Sequence, residues 1–260
     1  MTLARYRHGP NHRQLLAQPD FASLRSLFGF RSVVIGRWVT AEERQHAAGW
    51  FFDAFMDLLH ILAGPAQRYG LPSSLIALRG SLALKYGSGG RPGVAAHYEP
   101  ATRTFALAKN AGPGSLAHEW FHAFDHYIAG RMYPSSGPAF ASACFYQQQV
   151  PISEHTLVDA WQHCMAQIFA PDSQLLAASL AYDLEHGCHY YRQPEEIAAR
   201  AFEAFVQDAA IKNAWLVRGS RASAEAKAGV YPQGEQRQRI TTAFAEYFSQ
   251  LSLALLRNGE

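Results

Sequence analysis

The sequence predicts an α+β fold in which a small antiparallel or mixed sheet packs against a mainly helical body. Apolar residues recur at helical spacing over most of the chain, whereas residues 73–109 form short β-prone segments separated by Gly- or Pro-containing turns. The motif His118-Glu119-Trp120-Phe121-His122 lies in the helical segment that follows those turns. With 260 residues, 48% of them hydrophobic and 17% charged, the chain is long and apolar enough to bury a substantial core.

The amino-terminal part is predicted to begin as an arm. Residues 1–27 read as an irregular segment with a short helix at 20–27, and residues 28–260 as one domain. Residues 30–39 are β-branched and apolar, which favours a strand. Thr40 and Glu43 have the spacing of a capping box, so a long helix is expected to begin there and to end at Gly64-Pro65.

Residues 73–109 are predicted to form three strands in a meander. Glu99-Pro100-Ala101-Thr102 is expected to be the turn that joins strands 94–99 and 104–109 as antiparallel neighbours. An exposed edge strand can align an extended peptide by main-chain hydrogen bonds. His97 and Tyr98 are therefore candidate substrate contacts.

The second half of the chain is predicted to be helical. Ser115 is a plausible N-cap for a helix at 116–129, and Gly130 is placed to end it. Within the domain, residues 28–114 are expected to hold a helix and the strands, 115–212 the helices of a metal site, and 213–260 a loop and a final helix. The helices after the motif are predicted at 153–170, 173–186, 194–212 and from Gly234 to about 256.

His118 and His122 lie four residues apart, a spacing that presents both imidazoles on one helical face to a single metal ion. A catalytic zinc site needs a third protein ligand and an open position for water. Glu196 and Glu203 are the candidates, because both lie on one face of the predicted helix that begins at Pro194. The cofactor expected is one Zn²⁺ ion.

Other residues around the motif have candidate roles. Glu119 is expected to be the general base. Asp125, one turn beyond His122, is a candidate to accept the remaining N–H of a ligating imidazole. Tyr190 or Tyr191 is a candidate donor to an oxyanion, with aromatic packing as the alternative. Arg200 is expected to pair with Glu196 or Glu203 in a structural role.

Composition and charge limit the classes of partner that the sequence predicts. A formal charge of +2 gives no strong case for nucleic acid, and no segment reaches the roughly 18 uncharged apolar residues of a membrane span. Residues 1–18 lack the apolar run of a secretory signal, so a cytoplasmic protein is expected. The three cysteines lack pair spacing and are expected to be free thiols. Nothing in the sequence indicates an oligomeric state.

The chain resembles a known family in several motifs. The run from Gly114 to Asp125, the preceding Ala96-His97-Tyr98-Glu99-Pro100 and the following Pro194-Glu195-Glu196 are similar to the CLCA-X family, which is itself similar to the large polyvalent protein-associated domain of phages and conjugative elements. The resemblance covers most of residues 28–250. One departure is Lys85-Tyr86-Gly87-Ser88-Gly89-Gly90, where an Arg-Gly pair is expected.

The resemblance implies a zincin-like, gluzincin-like metallopeptidase. It implies His118, His122 and Glu196 as metal ligands and Glu119 as the catalytic acid and base. The expected function is hydrolysis of a peptide bond in a peptide or protein substrate. Two alternatives share these residues: a hydrolase of non-peptide amides, and a catalytically inactive zinc-binding or interaction module associated with phage or mobile-element DNA-handling systems.

Overall fold

The computed structural model describes residues 6–88, 96–109 and 114–259, and these form an α+β fold. The helices are α1 (Phe21–Phe28), α2 (Ala41–Ala63), α3 (Leu116–Met132), α4 (Ala141–Tyr146), α5 (Thr156–Ile168), α6 (Gln174–His186), α7 (Pro194–Asp208), α8 (Ala224–Lys227) and α9 (Gly234–Arg257). The strands are β1 (Arg7–His8), β2 (Val33–Ile35), β3 (Ala83–Tyr86), β4 (Ala96–Glu99), β5 (Thr104–Leu107) and β6 (Lys212–Asn213).

The main sheet has four strands in the order β2-β3-β5-β4. The predicted hairpin is confirmed, because β4 and β5 pair in antiparallel fashion with Tyr98 opposite Phe105. The predicted meander is wrong, since β5 lies between β3 and β4 and pairs with β3 in parallel. All four residues of β5 are buried, whereas β4 has an exposed glutamate at its end, so the more apolar strand takes the interior position.

The segment before β3 also differs from the prediction. Ser73–Leu75 is a 3-10 turn, and Leu78 and Arg79 have φ of 52° and 55°. Two consecutive residues with positive φ lie outside the β region and interrupt the extended backbone, and the strand begins only at Ala83. Residues 94 and 95 of the predicted edge strand, and Gly89 and Gly90 of the Gly-rich turn, lie outside the described residues.

The capping box of the long helix α2 is confirmed. Thr40 Oγ1 accepts from the Glu43 N–H at 3.2 Å, and Glu43 Oε2 accepts from the Thr40 N–H at 2.9 Å. These two bonds satisfy donors that a helix start otherwise leaves open. The middle of α2 is buried on nearly all sides, which places this helix at the centre of the core.

Helix α3 differs from the prediction at both ends. The Ser115 side chain makes no cap bond; instead the N–H of Ala117 donates to the Leu216 carbonyl at 3.0 Å, so another segment satisfies the helix start. Gly130 does not end the helix, which continues to Met132. Gly130 keeps a helical conformation, and the Tyr133 N–H donates to the Ala129 carbonyl at 2.9 Å.

The later helices largely follow the prediction. Helices α5, α6 and α9 are confirmed, whereas α7 ends at Asp208, four residues earlier than predicted, and α4 was not predicted. Helix α3 packs against α4 and α7, and α9 packs against α5 and α7. Aromatic rings join these helices at Trp120, Phe121, Phe202, Phe244 and Phe248.

The amino-terminal arm is fastened to the domain. Strand β1 pairs with β6, which follows the end of α7, and α1 contributes Phe21, Leu24 and Phe28 to the common core. Within the described ranges, no helix is both long enough and apolar enough to cross a membrane.

Candidate metal centre

Two helices bring three donor groups together. His118 and His122 are one turn apart on α3, and their Nε2 atoms are 3.0 Å from each other. Glu196 lies in the first turn of α7, where its Oε2 is 3.1 Å from His118 Nε2 and its Oε1 is 3.3 Å from His122 Nε2. Pro194 at the helix start, followed by two glutamates, suits the first turn of a helix and thereby places Glu196 at this point.

The donor set fits a tetrahedral zinc ion. The donor atoms of His118, His122 and Glu196 lie within 4.8 Å of one another. Zinc–nitrogen distances of about 2.0–2.1 Å at tetrahedral angles put neighbouring ligand atoms about 3.3 Å apart, close to the separations between these atoms. Two imidazole nitrogens and a carboxylate that face one another offer lone pairs to the same point, which a cation satisfies.

Glu203 lies behind His118 and outside this ligand set. Its Oε2 is 3.1 Å from His118 Nδ1 and also accepts the hydroxyl hydrogen of Tyr231 at 3.1 Å. A carboxylate at this distance accepts a hydrogen from Nδ1, and Nε2 of the same ring faces Glu196 and His122. Glu203 is therefore not placed as the rival third ligand: its carboxylate contacts His118 Nδ1, the nitrogen opposite the one that faces Glu196.

The carboxylates dominate the electrostatics of the centre. Burial lowers the pKa of His118, but the hydrogen bonds to Glu196 and Glu203 outweigh it and raise the pKa to about 10. Burial acts to raise the pKa of Glu196, yet the two histidines hold it far below its ordinary value. Glu196 therefore carries a negative charge facing the two rings.

Glu119 is held beside the donor group by the edge strand. The main-chain N–H of Tyr98 in β4 donates to Glu119 Oε2 at 2.7 Å. Burial raises the pKa of Glu119, while the histidines and this N–H oppose the shift. A carboxylate with a raised pKa, fixed by one oxygen, is suited to accept a proton.

Tyr98 also joins the strand to the motif helix through its side chain. Its hydroxyl is 2.7 Å from His126 Nδ1, and burial raises the pKa of Tyr98 to about 12. Because side chains alternate along a strand, His97 points to the other face of the sheet. Tyr98 thus contacts α3 next to the donor group, whereas no described contact joins His97 to it.

The two tyrosines before α7 have different surroundings. Tyr190 makes a side-chain hydrogen bond to Glu196 although part of its ring is exposed; burial, the Glu196 charge and this bond raise the pKa of Tyr190. Tyr191 instead packs edge-on against Tyr182, with ring centroids 4.5 Å apart. Tyr190 is therefore the tyrosine of this pair that the structure brings to the centre.

Arg200 has a structural role as predicted, but it bonds to main-chain carbonyls and not to Glu196 or Glu203. Its Nε donates to the Val230 carbonyl at 2.7 Å, and its Nη2 donates to the Tyr191 carbonyl. No ion pair joins it to Glu196 or Glu203 among the described contacts. The buried guanidinium therefore fixes the segments that lead into and follow α7.

Asp125 does not orient a ligating imidazole as predicted. It is fully buried, and it accepts the N–H of Ser142 at 2.8 Å and the hydroxyl hydrogen of the same residue. In the described part of the chain, His122 Nδ1 has no hydrogen-bond partner. Asp125 therefore holds the start of α4 against α3, and burial raises its pKa to about 7.

Sequence reasoning missed three contributors. His126 lies one turn beyond His122, so the helical spacing contained a usable signal for it. Tyr231, in a loop, contacts Glu203, and Ser142, in a short helix, contacts Asp125; no periodic pattern marks either residue.

Comparison with known families gives one match. The family model for large polyvalent protein-associated domain 1 matches residues 182–255. This agrees with the part of the resemblance that concerned that domain, and the matched segment contains Glu196, Glu203 and Tyr231 but not α3. No curated protein and no solved structure matches the chain.

Proposed function

We propose that this protein is a zinc-dependent metallopeptidase in which His118, His122 and Glu196 hold one zinc ion. The observation that carries the proposal is the convergence of His118 Nε2, His122 Nε2 and the Glu196 carboxylate at separations of 3.0–3.3 Å. The zincin-like, gluzincin-like classification and the relation to the CLCA-X family are part of the same proposal.

In the proposed hydrolysis, each residue around the donor group has a distinct role. When bound, zinc would supply a Lewis acid that polarises the scissile carbonyl and lowers the pKa of a water molecule. Glu119 accepts a proton from the attacking water and passes it to the leaving amine. Tyr190 would donate a hydrogen bond to the negative charge that develops on the substrate carbonyl oxygen.

The edge strand supports a peptide substrate. In an antiparallel pair, the N–H and C=O of one residue point to the same side, and residues alternate between the partner strand and the open side. Tyr98 donates its N–H to Glu119, so its main chain faces the open side of β4. An extended peptide added along this edge would pass the general base, which favours a peptide over a compact amide.

The proposal is tested with Glu119→Gln, which removes the base while keeping the side-chain volume. Cleavage of a peptide library by the zinc-loaded variant should fall about 100- to 10,000-fold, because general acid–base catalysis contributes that much. Glu185→Gln, on the exposed surface of α6, is the charge-matched control and should cleave normally. Undiminished cleavage by Glu119→Gln would contradict the assigned base.

The alternative is an inactive zinc-binding or interaction module linked to mobile-element DNA handling. The segment that matches the protein-associated domain includes the helix with Glu196, and this match supports the module as a second hypothesis. The discriminating measurement is zinc coordination in solution by X-ray absorption. Three protein ligands plus a water ligand support the peptidase, and a fourth protein ligand supports the module.

A further inference from the structure

The sheet has a second edge, far from the metal centre in strand order. Strand β2 lies at the opposite end of the order from β4 and, within the described residues, pairs on one side only, with β3. The Leu84 N–H donates to the Ser32 carbonyl at 2.9 Å, and the Gly36 N–H donates to the Tyr86 carbonyl at 2.8 Å. The main chain of Ser32 and Gly36 therefore faces β3.

Because main-chain groups alternate along a strand, those of Val33 and Ile35 face away from β3. Apart from bonds within the sheet, no described main-chain hydrogen bond uses the N–H or C=O of Val33 or Ile35. Two outward N–H groups and two outward C=O groups, two residues apart, are a template for another strand.

A groove of about 910 Å³ lies along this strand, between α1 and the first turns of α2. Val33, Ile35, Phe21 and Phe30 provide its apolar lining. A strand added here would meet main-chain partners on β2 and apolar surface for alternate side chains.

The charged residues that line the groove indicate which kind of peptide strand could bind there. Arg25 on α1 and Arg44 on α2 line it from the two helices, and both are exposed. Asp20 is the carboxylate of the lining, and it already accepts the Ser23 N–H at 2.7 Å. Residues 20–45 contain four arginines against Asp20, Glu42 and Glu43, so the positive charge at the groove comes from the two lining arginines and not from the wider segment.

We propose that this groove binds an extended acidic segment of a protein partner, which adds to the outer edge of β2. The open main-chain groups favour a peptide over a nucleic acid, because phosphate recognition does not need a strand edge. The two arginines favour carboxylates on the bound segment. This surface is separate from the metal centre and does not depend on the proposed hydrolysis.

The test is fluorescence anisotropy with a labelled ten-residue peptide of alternating Val and Glu, added to the Glu119→Gln variant so that the probe stays intact. We expect saturable binding that weakens at least about tenfold in the double variant Arg25→Glu with Arg44→Glu. Arg68→Glu with Arg239→Glu, two exposed arginines elsewhere, makes the same charge change and should bind normally.

Two further probes separate strand addition from charge alone. The same peptide with N-methyl groups on alternate residues should bind at least about tenfold more weakly, and so should a version with Lys in place of Glu. The proposal is overturned by absence of saturable binding, by equal losses in both double variants, or by unchanged binding of the N-methylated peptide. It is also overturned if a ten-residue oligothymidylate displaces the peptide at lower concentration.

Discussion

Two carboxylates, the fully buried Asp57 and the mostly buried Glu196, have opposite surroundings. Asp57 accepts from Arg7 through both oxygens at 2.7 Å, from His12 Nε2 at 2.7 Å and from Asn213 at 2.8 Å. Every one of these partners is a donor. Glu196 instead faces the Nε2 atoms of two histidines, which also face each other.

The difference separates a structural site from a candidate metal site. A buried carboxylate is stable when donors satisfy its lone pairs, and the Asp57 cluster meets this condition with protein groups alone. Around Glu196 the carboxylate and two imidazole Nε2 atoms face one another, and a positive charge satisfies them together: either the proton of His118, whose pKa is raised to about 10, or a bound metal ion. Asp57 is expected to contribute to stability independently of metal, whereas the contribution of the Glu196 group is expected to grow when a metal ion replaces that proton.

The largest effect on stability is expected at Asp57. Asp57→Ala leaves Arg7 and His12 without their carboxylate and should lower the free energy of unfolding by about 3–5 kcal/mol. Urea denaturation with and without zinc measures this loss, which should be the same in both conditions. Asp172→Ala, at an exposed position, is the control. If Asp57→Ala lowers the free energy of unfolding by less than about 1 kcal/mol, Asp57 is not the stabilising carboxylate that the comparison requires.

The pH dependence of the same variant sharpens this prediction. Burial acts to raise the pKa of Asp57, but His12, Arg7 and Asn213 hold it below its ordinary value of 3.8. A lowered pKa means that the stabilisation is complete above the ordinary value and is lost as pH falls through the folded-state value. The stability gap between wild type and Asp57→Ala should be constant from pH 5 to 7 and shrink below about pH 4.

The next effect concerns the carboxylate behind His118. Glu203→Gln weakens the partner of His118 Nδ1, and the loss of such a partner commonly lowers metal affinity about 10- to 100-fold. Competition with a chromophoric chelator measures the zinc affinity, with Glu185→Gln as the control. Wild-type affinity in Glu203→Gln would show that the contact does not tune the site.

A smaller effect is expected at Tyr231. Its hydroxyl donates to Glu203, so Tyr231→Phe should lower zinc affinity less than about tenfold, in keeping with one hydrogen bond. Because the effect passes through Glu203, Tyr231→Phe should change little when added to Glu203→Gln. Additive losses in the double variant would place Tyr231 outside this chain of contacts.

Much of the fold was readable from local patterns. The capping box at Thr40 and the hairpin turn at residues 99–102 are local interactions, and the structure confirms both. Strand order was not readable, because the pairing of β3 with β5 depends on which strand is the more completely buried. The end of α3 was also missed, since packing carries the helix through Gly130.

The candidate site could be predicted in part, because some of its residues are neighbours on one helix. The two histidines share one helix, so spacing alone puts them together. Glu196 and Glu203 also share one face, and only the placement of α7 against α3 gives them different partners, His118 Nε2 and Nδ1 respectively. Asp125 had the right spacing for an orienting role, but Ser142 on another helix takes its hydrogen bonds.

The most direct test of the central claim is the zinc content and zinc affinity of wild type and Glu196→Gln, both purified without added metal. Apparent binding free energies of about 10–16 kcal/mol for four-ligand zinc sites correspond to roughly 3 kcal/mol per ligand, or about 100-fold in affinity. We predict one zinc per wild-type chain and affinity at least about 100-fold weaker in Glu196→Gln. Wild type without zinc affinity, or equal affinity in the two proteins, would contradict the account.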